Sequence, residues 1–234
     1  MHLDALRLAV AQLPRTVPPI NPDPNASLYP REFLDTGPRT DTRSDPHAEI
    51  FEAAVTFAAD TSPITAHDRF SAFFGSKAGG GEFLFRRDDV VEGCYWLRTP
   101  RPWIGHPEGA LLTPEPQRSL IQLAPGLMHR FSLAVCAGEE VVSENGKRVI
   151  PYTSHTQMYD WFDAQAARFG FAPLLADVAF TALEFTHGGQ RYRIPHALIE
   201  GALEVRDPDK LRLRLINGMG SYRKVGLGML RLME

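Results

Sequence analysis

Near the C-terminal end of the sequence, Gly218-Met219-Gly220 and Gly226-Leu227-Gly228 bracket five residues that include Arg223 and Lys224. Glycine lets backbone N–H groups approach phosphate oxygens closely and the two bases supply charge, so the spacing suits a phosphate backbone. Tyr222, inside the bracket, can donate a hydrogen bond, although anchoring a loop is the more usual role of an aromatic. A dinucleotide-binding reading fails because no βαβ unit follows these glycines, and no Walker loop is present. Nor is there an HExxH or a GxSxG, and the eight histidines and two cysteines make no zinc pattern. No metal and no cofactor is expected.

The other chemistry-bearing residues are arginines. Of 25 basic residues only four are lysines, Lys77, Lys147, Lys210 and Lys224, which leaves 21 arginines. The planar guanidinium fork matches phosphate, but a GC-rich genome would produce the same bias, and both explanations stay open. Arg15, Arg31, Arg39 and Arg43 group in one proline-rich stretch before residue 46. Taken singly each reads as a solvated charge, and only the grouping favours function. The net charge is -3, which by itself gives no sign of nucleic-acid binding. It is unevenly placed, however. Residues 191–234 carry nine bases against five acids, for +4, while residues 149–190 carry one base against four acids, for -3. Local field rather than net charge governs binding of a polyanion.

These residues need elements to hold them. Leu6, Leu8 and Val10 alternate with Arg7, Ala9 and Ala11, a strand period, over residues 3–13. Prolines make residues 16–46 an irregular excursion. Ile50, Phe51, Ala54, Val55 and Ala58 fall at helical spacing after Asp45 as cap and Pro46 in the first turn, which predicts a helix over 46–60. GEFLFRRDD and GCYWLRT read as strands, residues 101–126 as irregular with one short helix, and LMHRFSLAVCA (127–137) as a further strand. Asn145-Gly146 signals a hairpin whose tip is flanked by Lys147 and Arg148. HTQMYDWFDAQAARFGF predicts an amphipathic helix closed by Gly170. Strands at DVAFTALEF, QRYRI and ALEVR, a short helix at DPDKLRLRL and a final strand at KVGLGMLRLM complete a second unit on the same plan. The expected fold class is α+β, two tandem ferredoxin-like (RRM-like) domains over residues 1–138 and 139–234. Cys94 and Cys136 each sit in an apolar run and read as buried thiols, which fits a reducing cytoplasm. The N-terminus does not read as a signal peptide and no run spans a bilayer, so a cytosolic protein without a membrane partner is expected.

The Gly-hydrophobic-Gly, five residues with a base, Gly-hydrophobic-Gly pattern resembles the signature loop of the CRISPR RNA-processing endoribonucleases, which are built from two ferredoxin-like domains. The likeness extends upstream in the manner of the E subtype of type I systems. GALEVRDPDKLRLRLINGMGSYRKVGLGMLRL resembles that family's C-terminal block and MYDWFDAQAARFGF its tryptophan helix. NGKRVIPY resembles its basic segment, HRFSLAVCA and GEFLFRRDD two of its strands, so that most of residues 80–234 is covered. In the relatives the first helix begins Asp-Pro-Tyr, with a histidine three residues after the tyrosine, and both serve catalysis. Aligned on Asp45-Pro46, His47 stands at the tyrosine position and Ile50 at the histidine position. That alignment implies that the family histidine is absent. The arginine-bearing stretch before the helix is unlike the relatives and suggests the divergent processing nuclease of a type IV system.

The resemblance implies cleavage of precursor RNA within the repeat, without metal. The 2′-hydroxyl attacks the neighbouring phosphate, leaving a 2′,3′-cyclic phosphate, and the enzyme stays on its product hairpin among the other subunits of an effector complex. Such chemistry needs a base for the 2′-proton, cations for the phosphorane and an acid for the leaving oxygen. His47 is the one histidine near the expected place, and its alternative is a solvated residue of a first helical turn. Arginine, with a pKa above about 12, clamps phosphate but makes a poor base. Arg15, Arg31, Arg39 and Arg223 would therefore act by positioning and electrostatics. Arg86, Arg87, Lys147 and Arg148 join Gly218, Gly220, Tyr222, Arg223, Lys224, Gly226 and Gly228 as candidate RNA contacts. A non-cleaving RNA-binding subunit is the main alternative, and an enzyme for small phosphorylated substrates a second.

Overall fold

The apolar residues around Ile50 fit a helical period and a strand period equally, and their ladder partners decide between the two. In the computed structural model, which describes residues 47–75, 82–143 and 146–233, His47–Thr56 is a strand, β1. Phe51, Ala53, Val55 and Phe57 are buried in alternation with the less buried Glu52, Ala54 and Thr56. On one side β1 pairs antiparallel with β3 (Cys94–Thr99), on the other with β4 (Gln117–Gln122), and β2 (Leu84–Arg87) completes the order β2-β3-β1-β4. The helix expected over 46–60 is therefore wrong. Alanine and glutamate favour a helix in isolation, but ladders on both edges and a buried face outweigh that preference.

The helix comes next, as α1 (Pro63–Phe74). Ser62 caps it by accepting from the Thr65 amide at 3.1 Å, Pro63 opens it, and Gly75 closes it in the left-handed region at φ 65°. The signals are of the same kind as those misread at Asp45-Pro46. Between β3 and β4 no helix forms among the described residues, and QRSLIQ is the edge strand β4 instead of irregular chain. The strand expected over 3–13 and the stretch with Arg15, Arg31, Arg39 and Arg43 lie outside the described residues.

The second sheet has the order β10-β5-β9-β8, from β5 (Met128–Val135), β8 (Phe171–His187), β9 (Gln190–Val205) and β10 (Leu230–Met233). Helices α2 (His155–Phe169) and α3 (Pro208–Asn217) fall where a ferredoxin-like unit needs them. The ribbon β6 (Gly138–Ser143) and β7 (Gly146–Pro151) is inserted before α2, with Ser143 opposite Gly146, so the hairpin read from Asn145-Gly146 forms. Both sheets carry the strand order of the ferredoxin-like plan, and the α+β tandem architecture stands.

The expected boundary at 138/139 does not match the strand pairing. β5 bonds to β9 and β10, and its Phe131, Leu133 and Val135 enter one core with Phe162 and Ile199. This strand opens the second unit rather than closing the first, so pairing breaks between Gln122 and Met128. QRYRI and ALEVR are one strand rather than two. The β8–β9 ribbon also outruns its sheet, because β5 pairs only with Ala197–Glu204 of β9. The free length brings Phe185, Tyr192 and Ile194 against Ile64 of α1 and Tyr222, Val225 and Leu227.

Asp207 caps α3 by accepting from the Lys210 amide at 3.2 Å, and Lys210 Nζ lies 2.7 Å from its carboxylate. The bonds from the Lys210 side chain and amide hold the Asp207 carboxyl below the ordinary carboxylate range. A depressed folded pKa means stability present above the unfolded value and lost as pH falls through the folded one. Asp207→Ala is expected to cost about 1 kcal/mol at neutral pH. In urea titrations that difference should vanish once the medium is acid enough to protonate the folded carboxyl.

Three arginines tie the first sheet to the second unit. Arg98 of β3 is fully buried, with Nε 2.9 Å from Glu52 Oε1 and Nη1 donating to the carbonyls of Leu215 at 3.1 Å and Leu230 at 2.6 Å. Arg86 of β2 donates to Ser132 Oγ at 3.0 Å, and Arg231 of β10 lies 4.5 Å over the Trp96 ring. Part of the arginine bias thus belongs to the protein's own interior, where a fork with several donors can satisfy carbonyls and a carboxylate together.

Candidate functional site

The glycine loop is packed before it is available to any ligand. Met219 N donates to Gly228 O at 2.8 Å, and Gly228 N to Ala134 O at 2.7 Å. A Cβ on Gly228 (φ 88°) would stand 2.1 Å from the Met219 carbonyl oxygen and 3.2 Å from Arg223 Cγ. One on Gly218 (φ 75°) would meet Arg223 Cδ at 3.1 Å. The two glycines therefore make room for the stem of Arg223, whose guanidinium donates to Asn217 O at 2.6 Å. Gly228→Ala is expected to cost about 2 kcal/mol, from a left-handed backbone and a backbone collision. A thermal midpoint equal to the parent's would refute it.

This packing revises the reading of the loop as an open cradle. Gly218, Tyr222, Gly226 and Gly228 are buried, whereas Gly220, Ser221, Arg223 and Lys224 reach the surface. Tyr222 is fully buried at φ 64° beside Ile64 and Val225, so it anchors the loop rather than facing a ligand. Gly226 presses on the neighbouring unit, where its Cβ would meet the Phe85 ring at 3.2 Å.

Phe85 also neighbours His67, in the second turn of α1 and three residues after Ile64. Its ring centroid is 6.1 Å from that of Phe85 and 5.7 Å from that of Phe83, and the residue is 7% exposed. The N-cap of the same helix is held by the projecting ribbon, with His187 Nδ1 3.2 Å from Ser62 Oγ. So the loop, α1 and the β8–β9 tip meet at one corner of the interface. The sequence reading missed His67 because the helix had been placed one element too early. Ser62-Pro63 and Gly75 were the signals that could have found it.

The remaining candidates scatter. His47 opens β1 opposite Gln122, at the strand's N-terminal end. Arg86 is buried and bound to Ser132 and to Asp89 at 2.8 Å, so it is an internal tie and not an exposed stem contact. Arg87 is partly exposed. Lys147 and Arg148 lie in β7, opposite Val142 and Val141. Arg15, Arg31 and Arg39 lie outside the described residues. Arg86, Asp89, Glu184, His196 and Gly226 line a cleft of about 500 Å³. Burial holds the His196 imidazole below its ordinary range. Cys94 and Cys136 are buried free thiols, as expected, and burial pushes the Cys136 thiol up to about 12. No helix among the described residues is long and apolar enough to cross a membrane.

Two antiparallel sheets in ferredoxin-like order, locked together at a glycine-rich loop, define a tandem ferredoxin-like protein. The model of the CRISPR-associated protein family matches residues 45–233, and the chain belongs to that family. Among solved structures it is similar to a CRISPR endoribonuclease Cse3 bound to a 19-nucleotide RNA, at 19% identity and TM-score 0.64, over 80% of this chain and 100% of that one. It is similar too to Thermus thermophilus Cse3 bound to an RNA representing a pre-cleavage complex, at 20% identity and TM-score 0.63, over 80% and 100% of the two chains. Cas6e from Escherichia coli K-12 matches at 16% identity and TM-score 0.62, over 79% and 98%. At these identities the likeness is one of fold. No curated protein matches the chain in sequence.

Proposed function

We propose that this protein is a metal-independent endoribonuclease that cuts CRISPR precursor RNA within the repeat and stays on the product hairpin inside an effector complex. The observation that carries the reading is the place of His67. With the first helix at Pro63–Phe74, the family spacing of tyrosine and histidine falls on Ile64 and His67 instead of His47 and Ile50. The helix that bears His67 is packed against the glycine loop. In this reading the 2′-hydroxyl attacks the adjacent phosphate, and the His67 imidazole, a group able to give or take a proton near neutral pH, serves that transfer. Surface-reaching Arg223 and Lys224 hold the phosphate and offset the charge of the phosphorane. The family match begins at residue 45, which leaves the arginine-bearing first 44 residues outside the common pattern and supports a type IV assignment.

A second reading, a non-cleaving subunit that grips RNA, is favoured by the burial of His67 among phenylalanines and by Ile64 at the tyrosine position. Incubation with repeat RNA in a chelator separates the two. The enzyme reading expects a product ending in a cyclic phosphate, and tightly bound but uncut RNA would replace it with the second.

A further inference from the structure

Arg168 is the single base among residues 149–190, and α2 places it in its last turn beside Phe169. Two guanidinium groups lie over that one ring. Arg168 Cζ is 5.9 Å from the Phe169 centroid, and Arg214 Cζ, from α3, is 4.4 Å from it. The two charges therefore stand within about 10 Å, roughly a Debye length at 0.1 M salt. The carboxylates of the neighbouring turns are engaged elsewhere. Asp207 pairs with Lys210, Asp209 with Arg212 and Glu204 with Arg206, and neither Arg168 nor Arg214 has a carboxylate partner among the described residues.

Arg214 is also half-buried, whereas Arg168 is exposed. Burial pulls the Arg214 pKa down, and the charges of Arg168 and Arg223 pull it further. Arg223 enters from the glycine loop and is fixed at the C-terminal end of α3 by its bond to Asn217 O. Two like charges held near one aromatic ring, with no acid partner among the described residues, form a receptor for a bulky, delocalised anion, and the planar forks suit phosphate oxygens.

We propose that Arg168 and Arg214, mounted over Phe169, form a binding site for a backbone phosphodiester of the bound RNA, continuing the charged track that begins at Arg223. The proposal rests on the RNA-binding reading above and adds a contact on the α2–α3 surface that the loop motif does not include.

The test is charge reversal at the exposed position, Arg168→Glu. The new carboxylate would sit beside Arg214, so the thermal midpoint should hold or rise. Affinity for a repeat-hairpin RNA in chelator should nevertheless fall about tenfold or more, and the slope of log K against log salt should shrink by about one. Arg214→Gln should move affinity and slope in the same direction. Opposite signs for stability and RNA affinity are what a merely structural arginine would not give. Tight RNA binding by the parent, with unchanged affinity and slope in Arg168→Glu, would overturn the site and leave the RNA reading intact. A parent protein that binds no repeat RNA would overturn both.

Discussion

Replacing His67 by alanine is expected to lower the single-turnover rate of repeat cleavage by about 10²–10⁴-fold, the usual contribution of a positioned general acid or base. His67 sits on the helix that abuts the glycine loop, with its ring beside those of Phe83 and Phe85 in the first unit. Measured with protein in excess, the rate reports on the chemical step and not on affinity. His67→Gln separates chemistry from packing, since it retains a polar side chain of similar reach but cannot exchange a proton near neutral pH. Both variants should still hold the RNA hairpin. Cleavage by His67→Ala at the parent's rate would remove His67 from the mechanism. His47→Ala, at the N-terminal end of β1, should cut as the parent does.

The second large effect is on stability. Arg98→Ala is expected to destabilise the protein by about 3–5 kcal/mol, because it removes one partner of a buried ion pair. Glu52, 20% exposed in its side chain, would lose its bond at 2.9 Å, and the carbonyls of Leu215 and Leu230 would lose the donor that joins them across the interface. Burial opposes the Arg98 charge and Glu52 compensates it, so neither group is comfortable alone. Arg98→Lys keeps the charge but cannot span a carboxylate and two carbonyls at once, and should fall between parent and alanine. Urea unfolding measures all three, and an Arg98→Ala variant within about 1 kcal/mol of the parent would contradict the account, given the usual spread of such values.

The consequences of Arg98 illustrate what local pattern conceals. In sequence it is one of 21 arginines, with nothing to mark it off from a solvated charge or a phosphate ligand. Its role appears only when β3 is laid beside α3 and β10. Arg86 is a similar case, offered by its basic neighbourhood as an RNA contact and found bonded to Ser132 across the interface. Phe169 is another, since its two guanidinium partners, Arg168 and Arg214, come from different helices, α2 and α3.

Elements with strong local signals were legible. The α2 helix with its Gly170 stop, the α3 helix behind Asp207-Pro208, the β6–β7 hairpin at Asn145-Gly146 and the paired strands β2 and β3 each follow from caps, turn chemistry and short-range period. The glycine motif announced the family through spacing alone. What failed was β1, because apolar residues at 50, 51, 54 and 55 satisfy two periods at once, and the choice was made by β3 and β4, dozens of residues away. That single exchange of strand for helix set the family pattern on His47 and Ile50, whereas the helix at Pro63–Phe74 sets it on Ile64 and His67.

By itself, then, the sequence determined the tandem α+β plan, the family and the existence of a basic C-terminal block, because these depend on residue type, local period and spacing along the chain. The tertiary structure alone decided which glycines make room for Arg223, which arginines are internal ties, and which histidine stands on the helix against the loop. Those outcomes depend on contacts between residues far apart in the chain, where packing and the pairing of buried charge outweigh local preference.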